Sequence, residues 1–124
     1  MSEQNTIQLI LFKIFNAGIG FDARQIQNLQ PYDASERNAV PIHQLLSINK
    51  ESIEYSNPRY MTVRNNPALK IKIEDSFEML TVSKNEIKPP PSLLRRHCRH
   101  LGLWGLYFWD EVGFALYDAA LLVR

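Results

Sequence analysis

The sequence predicts a single α+β domain: short N-terminal helices, an antiparallel β-meander of three to five strands, and a C-terminal helical segment packed on one face of the sheet. Three observations predict it. Apolar residues near the start recur at helical spacing, a central segment alternates strictly between apolar and polar, and the last apolar stretch returns to near-helical spacing. The 124 residues, 45% hydrophobic and 22% charged, suit one folded domain.

Ile7, Ile10, Leu11, Ile14 and Phe15 fall at i, i+3, i+4, i+7 and i+8, which predicts a helix over residues 7–15. Asn5 or Thr6 can cap its start, and Gly18 can supply the left-handed turn that ends it. A strand is the competing reading, because Ile and Phe also suit sheets. Asp22 opens a second short helix over residues 23–29, with Phe21 packing back on it and Pro31 stopping it. Asp33 and Glu36 have capping-box spacing, and Pro41 suits the first position of a helix over residues 41–48.

After Asn49 the pattern changes. Ile53 and Tyr55 alternate with polar residues, Asn57-Pro58 and Asn65-Asn66-Pro67 signal turns, and residues 60–64 lie between them. Residues 69–74 form the cleanest strand: Leu69, Ile71 and Ile73 point one way, Lys70, Lys72 and Glu74 the other. Glu74-Asp75-Ser76 turns the chain into a strand over residues 77–82. Pro89, Pro90 and Pro91 fix three φ angles and donate no N–H, so an 88-residue body gives way here to a C-terminal third, residues 92–124. Ser92 can cap a helix over residues 93–101, ended by Gly102. Residues 103–109 suit a strand. Asp110-Glu111 suits a helix start, and Val112, Ala115, Leu116, Ala119 and Val123 continue at near-helical spacing. A hairpin of residues 106–109 with residues 114–117 competes with that helix.

The net charge of +1 hides a local patch. Residues 84–100 carry Lys84, Lys88, Arg95, Arg96 and Arg99 against Glu86 alone, while the flanking segments are slightly acidic. Guanidinium groups recognise phosphate or carboxylate oxygens bidentately. The patch abuts the aromatic run Trp104, Tyr107, Phe108, Trp109, Phe114 and Tyr117, which reads as core with one tryptophan near an interface. The candidate binding residues are therefore Lys88, Arg95, Arg96, Arg99, His100, Trp104 and Trp109. The bland reading is a solvated helix face whose arginines pair with Asp110, Glu111 or Asp118.

Catalytic and metal chemistry find little support. His97, Cys98 and His100 cluster, but the only other histidine is His43 and there is no second cysteine, so a four-ligand zinc set is not available. Cys98 lacks a base presented from across the fold and reads as a structural thiol. No phosphate-binding loop, nucleophile elbow or H-E-x-x-H motif occurs, and Gly18-Ile19-Gly20 reads as a turn. No cofactor is expected. Three helices before a meander also suggest a winged helix, but residues 41–48 offer His43, Gln44 and Ser47 and no cation before Lys50, which suits phosphate poorly.

The polar, acidic start and the lack of any uncharged apolar run of ~18–20 residues predict a cytoplasmic protein with no membrane partner. A lone Cys98 fits a reducing compartment. The expected function is a small non-catalytic protein-binding module: an inhibitor, an immunity-type protein or an adaptor. The alternative is a nucleic-acid-binding regulator using the Arg95/Arg96/Arg99 helix, and the weakest is an enzyme using Cys98 and a histidine. The expected partner is another protein, with nucleic acid as the alternative and a homodimer left open.

Overall fold

The structure is a computed structural model that describes residues 5–14, 17–46, 55–90 and 102–122. Among the described residues nine strands run in the order β1 (Thr6–Ile14), β2 (Ala17–Asp22), β3 (Ile26–Pro31), β4 (Ala39–Pro41), β5 (Pro58–Val63), β6 (Asn66–Glu74), β7 (Phe77–Ser83), β8 (Leu103–Trp109) and β9 (Val112–Tyr117). The described helices are two single turns, α1 (Ile42–Leu45) and α2 (Ala119–Leu122). One sheet has the order β7-β1-β2-β9-β8 and the other β3-β5-β6-β4. The chain starts the first sheet, builds the whole of the second with β3 to β6, and returns to complete the first. The α+β expectation is therefore corrected: this is a two-sheet β architecture, and among the described residues there are neither the expected N-terminal helices nor a C-terminal helical layer.

The error is instructive at β1. Ile10, Phe12 and Ile14 enter the core between the sheets, where they meet Met61, Val63, Ile71 and Ile73 of the second sheet. Ile7, Leu9 and Leu11 enter a second cluster with Val82, Tyr107, Phe114 and Leu116. From Leu9 to Phe12 the strand is buried on both faces, and its exposed polar residues, Gln8 and Lys13, fall on opposite faces, so its period of two disappears. The helical stripe skips Leu9 and Phe12, yet their exposures are 0% and 2%.

The second cluster draws its buried residues from the first sheet alone, and it unites Val82 on one edge strand with Tyr107 on the other. That sheet must curl around its own interior, as a barrel wall does. Gly18 and Gly20 alternate with the buried Ile19 and Phe21 on β2 and so face this interior. A Cβ on Gly18 would run into the Gly113 carbonyl and the Phe114 ring. A Cβ on Gly20 would lie 2.6 Å from a methyl of Leu11 and one of Leu116. The two glycines thus make room for neighbouring side chains inside a strand, where a turn was expected.

Other expectations divide. The helix over residues 23–29 shrinks to a 3-10 turn, Ala23–Gln25, capped as expected by the Asp22 carboxylate. Asp33 accepts from the Ser35 N–H and hydroxyl and makes a turn, with no helix following it. The helix over residues 41–48 is one turn, its later part lying outside the described residues. β5 and β6 pair antiparallel, and Ile71 and Ile73 point inward as expected. β7 does not extend that meander but crosses to pair with β1. Residues 103–117 form the competing hairpin. Its turn places Asp110 and Glu111 at φ 53° and 65°. Two positive φ values in a two-residue loop make a type I′ turn, for which Glu is poorly suited. The helix over residues 93–101 lies outside the described residues.

Two stability outcomes follow from this geometry. Gly18→Ala should cost about 1–3 kcal/mol in denaturant unfolding, and more than Gly20→Ala, because Gly18 faces a backbone carbonyl and Gly20 only methyl groups that can rotate. Glu111→Gly should raise stability by up to about 1 kcal/mol, read as a higher melting midpoint, since it creates the Asp-Gly pair this turn favours.

Candidate functional site

A groove of about 560 Å³ opens where the chain leaves the first sheet. Ile7, Ile87, Pro89 and Trp104 line it together with the cations Arg24, Lys84 and Lys88 and the carboxylates of Asp22 and Asp118. Three segments position these groups. The 3-10 turn after β2 brings Arg24, the connection after β7 brings Lys84 to Pro89, and β8 brings Trp104.

Each segment is held by specific bonds. Lys88 exchanges both backbone hydrogen bonds with Leu106, each at 2.8 Å, so it lies against the outer edge of β8. Continuing that antiparallel register puts Pro90 opposite Trp104, where the missing N–H stops the pairing after one bridge. Gln25 donates its amide N–H to Asp118 Oδ1 at 2.7 Å and accepts the Ala119 N–H at 2.8 Å. This clamp ties the turn after β2 to the end of the chain's last strand.

The charges on the rim differ in their freedom. Arg24 is bound to Asp22, with Nη2 donating to Oδ2 at 2.8 Å and Nε donating at 3.2 Å. Burial pushes the Asp22 carboxyl up, but the Arg24 hydrogen bonds and charge, helped by Lys84, hold it below its usual range. Lys84 and Lys88 have no carboxylate at ion-pair distance among the described residues. Trp104 is 37% exposed. The groove thus combines an open aromatic anchor with two uncommitted ammonium groups.

Of the sequence-predicted site residues, the structure brings Lys88 and Trp104 together here. Trp109 sits at the other end of β8, its ring 6.4 Å from that of Phe114, lining a separate groove of about 790 Å³ with Lys13 and Glu78. Arg95, Arg96, Arg99 and His100, with His97 and Cys98, lie outside the described residues. Sequence reasoning missed Arg24, which is far from the basic segment and reaches it only through the fold. Lys84 was counted in that segment but not singled out.

His43 belongs to the core. It is 3% exposed, and its Nδ1 lies 3.0 Å from the Tyr55 hydroxyl. Burial pushes the Tyr55 phenol up to about 12. The ammonium of Lys72 stands 5.2 Å from the Tyr55 ring centroid and 5.3 Å from that of Tyr32. A histidine so placed is not presented to a DNA groove, and the winged-helix reading fails with the helices it needed. Among the described residues, no three His, Cys, Asp or Glu side chains gather where they could hold a metal. No described helix is long and apolar enough to cross a membrane.

No family model matches the chain, and no curated protein sequence matches it. Its architecture does match a solved structure, the scaffolding protein TtCheW from Thermoanaerobacter tengcongensis. The two are 12% identical, with a TM-score of 0.69 over 95% of this chain and 88% of that one. At that identity the likeness shows the fold.

The buried histidine carries a pH outcome. Burial, and secondarily the Lys72 charge, hold the His43 pKa below its ordinary 6.5. As pH falls below that value the unfolded chain binds the proton first, so folded stability should decline below about pH 6.5. Denaturant midpoints between pH 7 and pH 5 check this, and His43→Gln should flatten the slope.

Proposed function

We propose that this chain is a non-catalytic adaptor that holds a protein partner at the groove of Arg24, Lys84, Lys88 and Trp104. The observation that carries the reading is the likeness of fold, over 95% of the chain, to a protein that serves as a scaffold. The groove supplies the chemistry. An exposed tryptophan provides an amphipathic anchor, and the uncommitted lysines steer and orient an acidic partner. Among the inhibitor, immunity-type and adaptor readings, the shared architecture favours the adaptor. Arg95, Arg96, Arg99 and His100 remain further candidate binding residues by sequence alone, and a cytoplasmic setting fits the lone Cys98.

The test is capture from native lysate with the wild type and with a Trp104→Ala/Lys88→Glu double variant. The wild type should recover a companion in stoichiometric amount, and the double variant should bind it at least about tenfold more weakly with its melting temperature unchanged. Equal capture by the variant would remove the groove from the proposal. The absence of any stoichiometric companion would remove the adaptor reading.

A further inference from the structure

Among the described residues, four strands stand at sheet edges: β7 and β8 in the first sheet, β3 and β4 in the second. An open edge presents unpaired N–H and C=O groups, and proteins usually blunt it. β8 carries the Lys88 bridge, and Pro90 stops further pairing. β3 has a register shift between Ile26 and Asn28 and ends at Pro31. β4 has three residues and ends at Pro41. β7 is blunted only at its end, where the Ser83 N–H donates to the Glu86 carboxylate at 3.2 Å. Its seven residues include no proline, lysine or arginine, its register with β1 is unbroken, and Met79 is 48% exposed.

The register also tells which groups face outward. Ile14 pairs with Ala17 across a two-residue connection, and such a hairpin closes on a hydrogen-bonded pair. Alternation along β1 then leaves Ile7, Leu9 and Leu11 to bond with Val82, Leu80 and Glu78 of β7. The backbone groups of Met79 and Thr81 therefore point away from the sheet. On either side of Thr81, three residues away, stand Glu78 and Lys84, both exposed and neither ion-paired among the described residues.

We propose that β7 is a self-association edge, through which two copies of this chain pair antiparallel about a two-fold axis at Thr81. The Thr81 N–H of each copy donates to the Thr81 carbonyl of the other, and the Met79 N–H donates to the Ser83 carbonyl of the second copy, the Ser83 N–H remaining on the Glu86 carboxylate. Leu80 faces Val82, and Lys84, in the 3-10 turn that follows β7, reaches Glu78 of the second copy, so that in the dimer Lys88 is the ammonium left to the groove; each contact occurs twice by symmetry. The charge pattern selects the occupant. Opposite charges placed symmetrically about one residue complement themselves only when a second copy runs antiparallel, and a parallel pairing would set like charges side by side. The two five-stranded sheets would become one continuous sheet of ten strands.

Sedimentation over a concentration series tests this, and it reads assembly independently of partner capture. The wild type should dimerise. Thr81→Lys should be monomeric with unchanged circular dichroism and melting temperature. Glu78→Lys and Lys84→Glu should each weaken the dimer about tenfold, and the two reversals combined in one chain should restore it. A wild type that stays monomeric up to its solubility limit would overturn the proposal. So would a dimer that Thr81→Lys leaves intact, or single reversals that the combined variant does not rescue.

Discussion

The structure depends on the burial of β1 from both sides. One strand supplies Ile10, Phe12 and Ile14 to the core between the sheets and Ile7, Leu9 and Leu11 to the core inside the first sheet. Each cluster alone is small for a chain of this size. Sharing a wall lets one strand contribute apolar surface twice, at roughly 25 cal/mol per Å² removed from water. The cost is intolerance: from Leu9 to Phe12 neither face of β1 can accept a polar residue without leaving it unpaired in a core, and the polar Gln8 and Lys13 stand at exposed positions outside that stretch. β2 shows the same constraint in a different form. Its face toward the inter-sheet core carries Ile19 and Phe21, while its other face is stripped to Gly18 and Gly20 so that Phe114, Leu11 and Leu116 can fill the interior.

The groove follows from the path of the chain. Both sheets are built from a single thread that leaves the first after β2 and rejoins it at β7. The two connections at the ends of those strands cannot be buried in either core, and they lie beside the edge of β8. Arg24 and Lys84 come to that surface because they sit in these connections. Lys88 comes there because its backbone pairs with β8. The Gln25–Asp118 bond then fixes the separation of the segments, so that the rim is held by hydrogen bonds distinct from the cationic side chains it displays.

Legibility in the sequence tracked exposure. β6 has one wet face, so the alternation of Leu69 to Glu74 was readable residue by residue. β1 is buried on both faces from Leu9 to Phe12, its exposed Gln8 and Lys13 fall on opposite faces, and its apolar run matched a helical template that no described helix realises. The C-terminal hairpin was hidden for a related reason: Asp110-Glu111 carries none of the Asn-Gly chemistry that announces a type I′ turn, and acids before an apolar stretch suggest a helix start instead. Lys88 and Trp104 were found because basic and aromatic residues adjoin in sequence as well as in space. Trp109 was grouped with them by sequence proximity, but five residues along a strand carry it to the opposite end of the sheet. Arg24 is sixty residues from Lys84, and no local pattern could join them.

The parallel pairing of β2 with β9 has a consequence for the order of events during synthesis. β2 is among the first strands to leave the ribosome and β9 is the last. Every strand of the second sheet lies in one uninterrupted stretch, Ile26 to Glu74, and can zip up while the rest is still being made. The first sheet must wait with β2 half paired and its glycine-lined face open to water. A chain released at the proline break would hold one finished sheet beside one missing two of its five strands, an intermediate with exposed apolar surface and an unsatisfied edge.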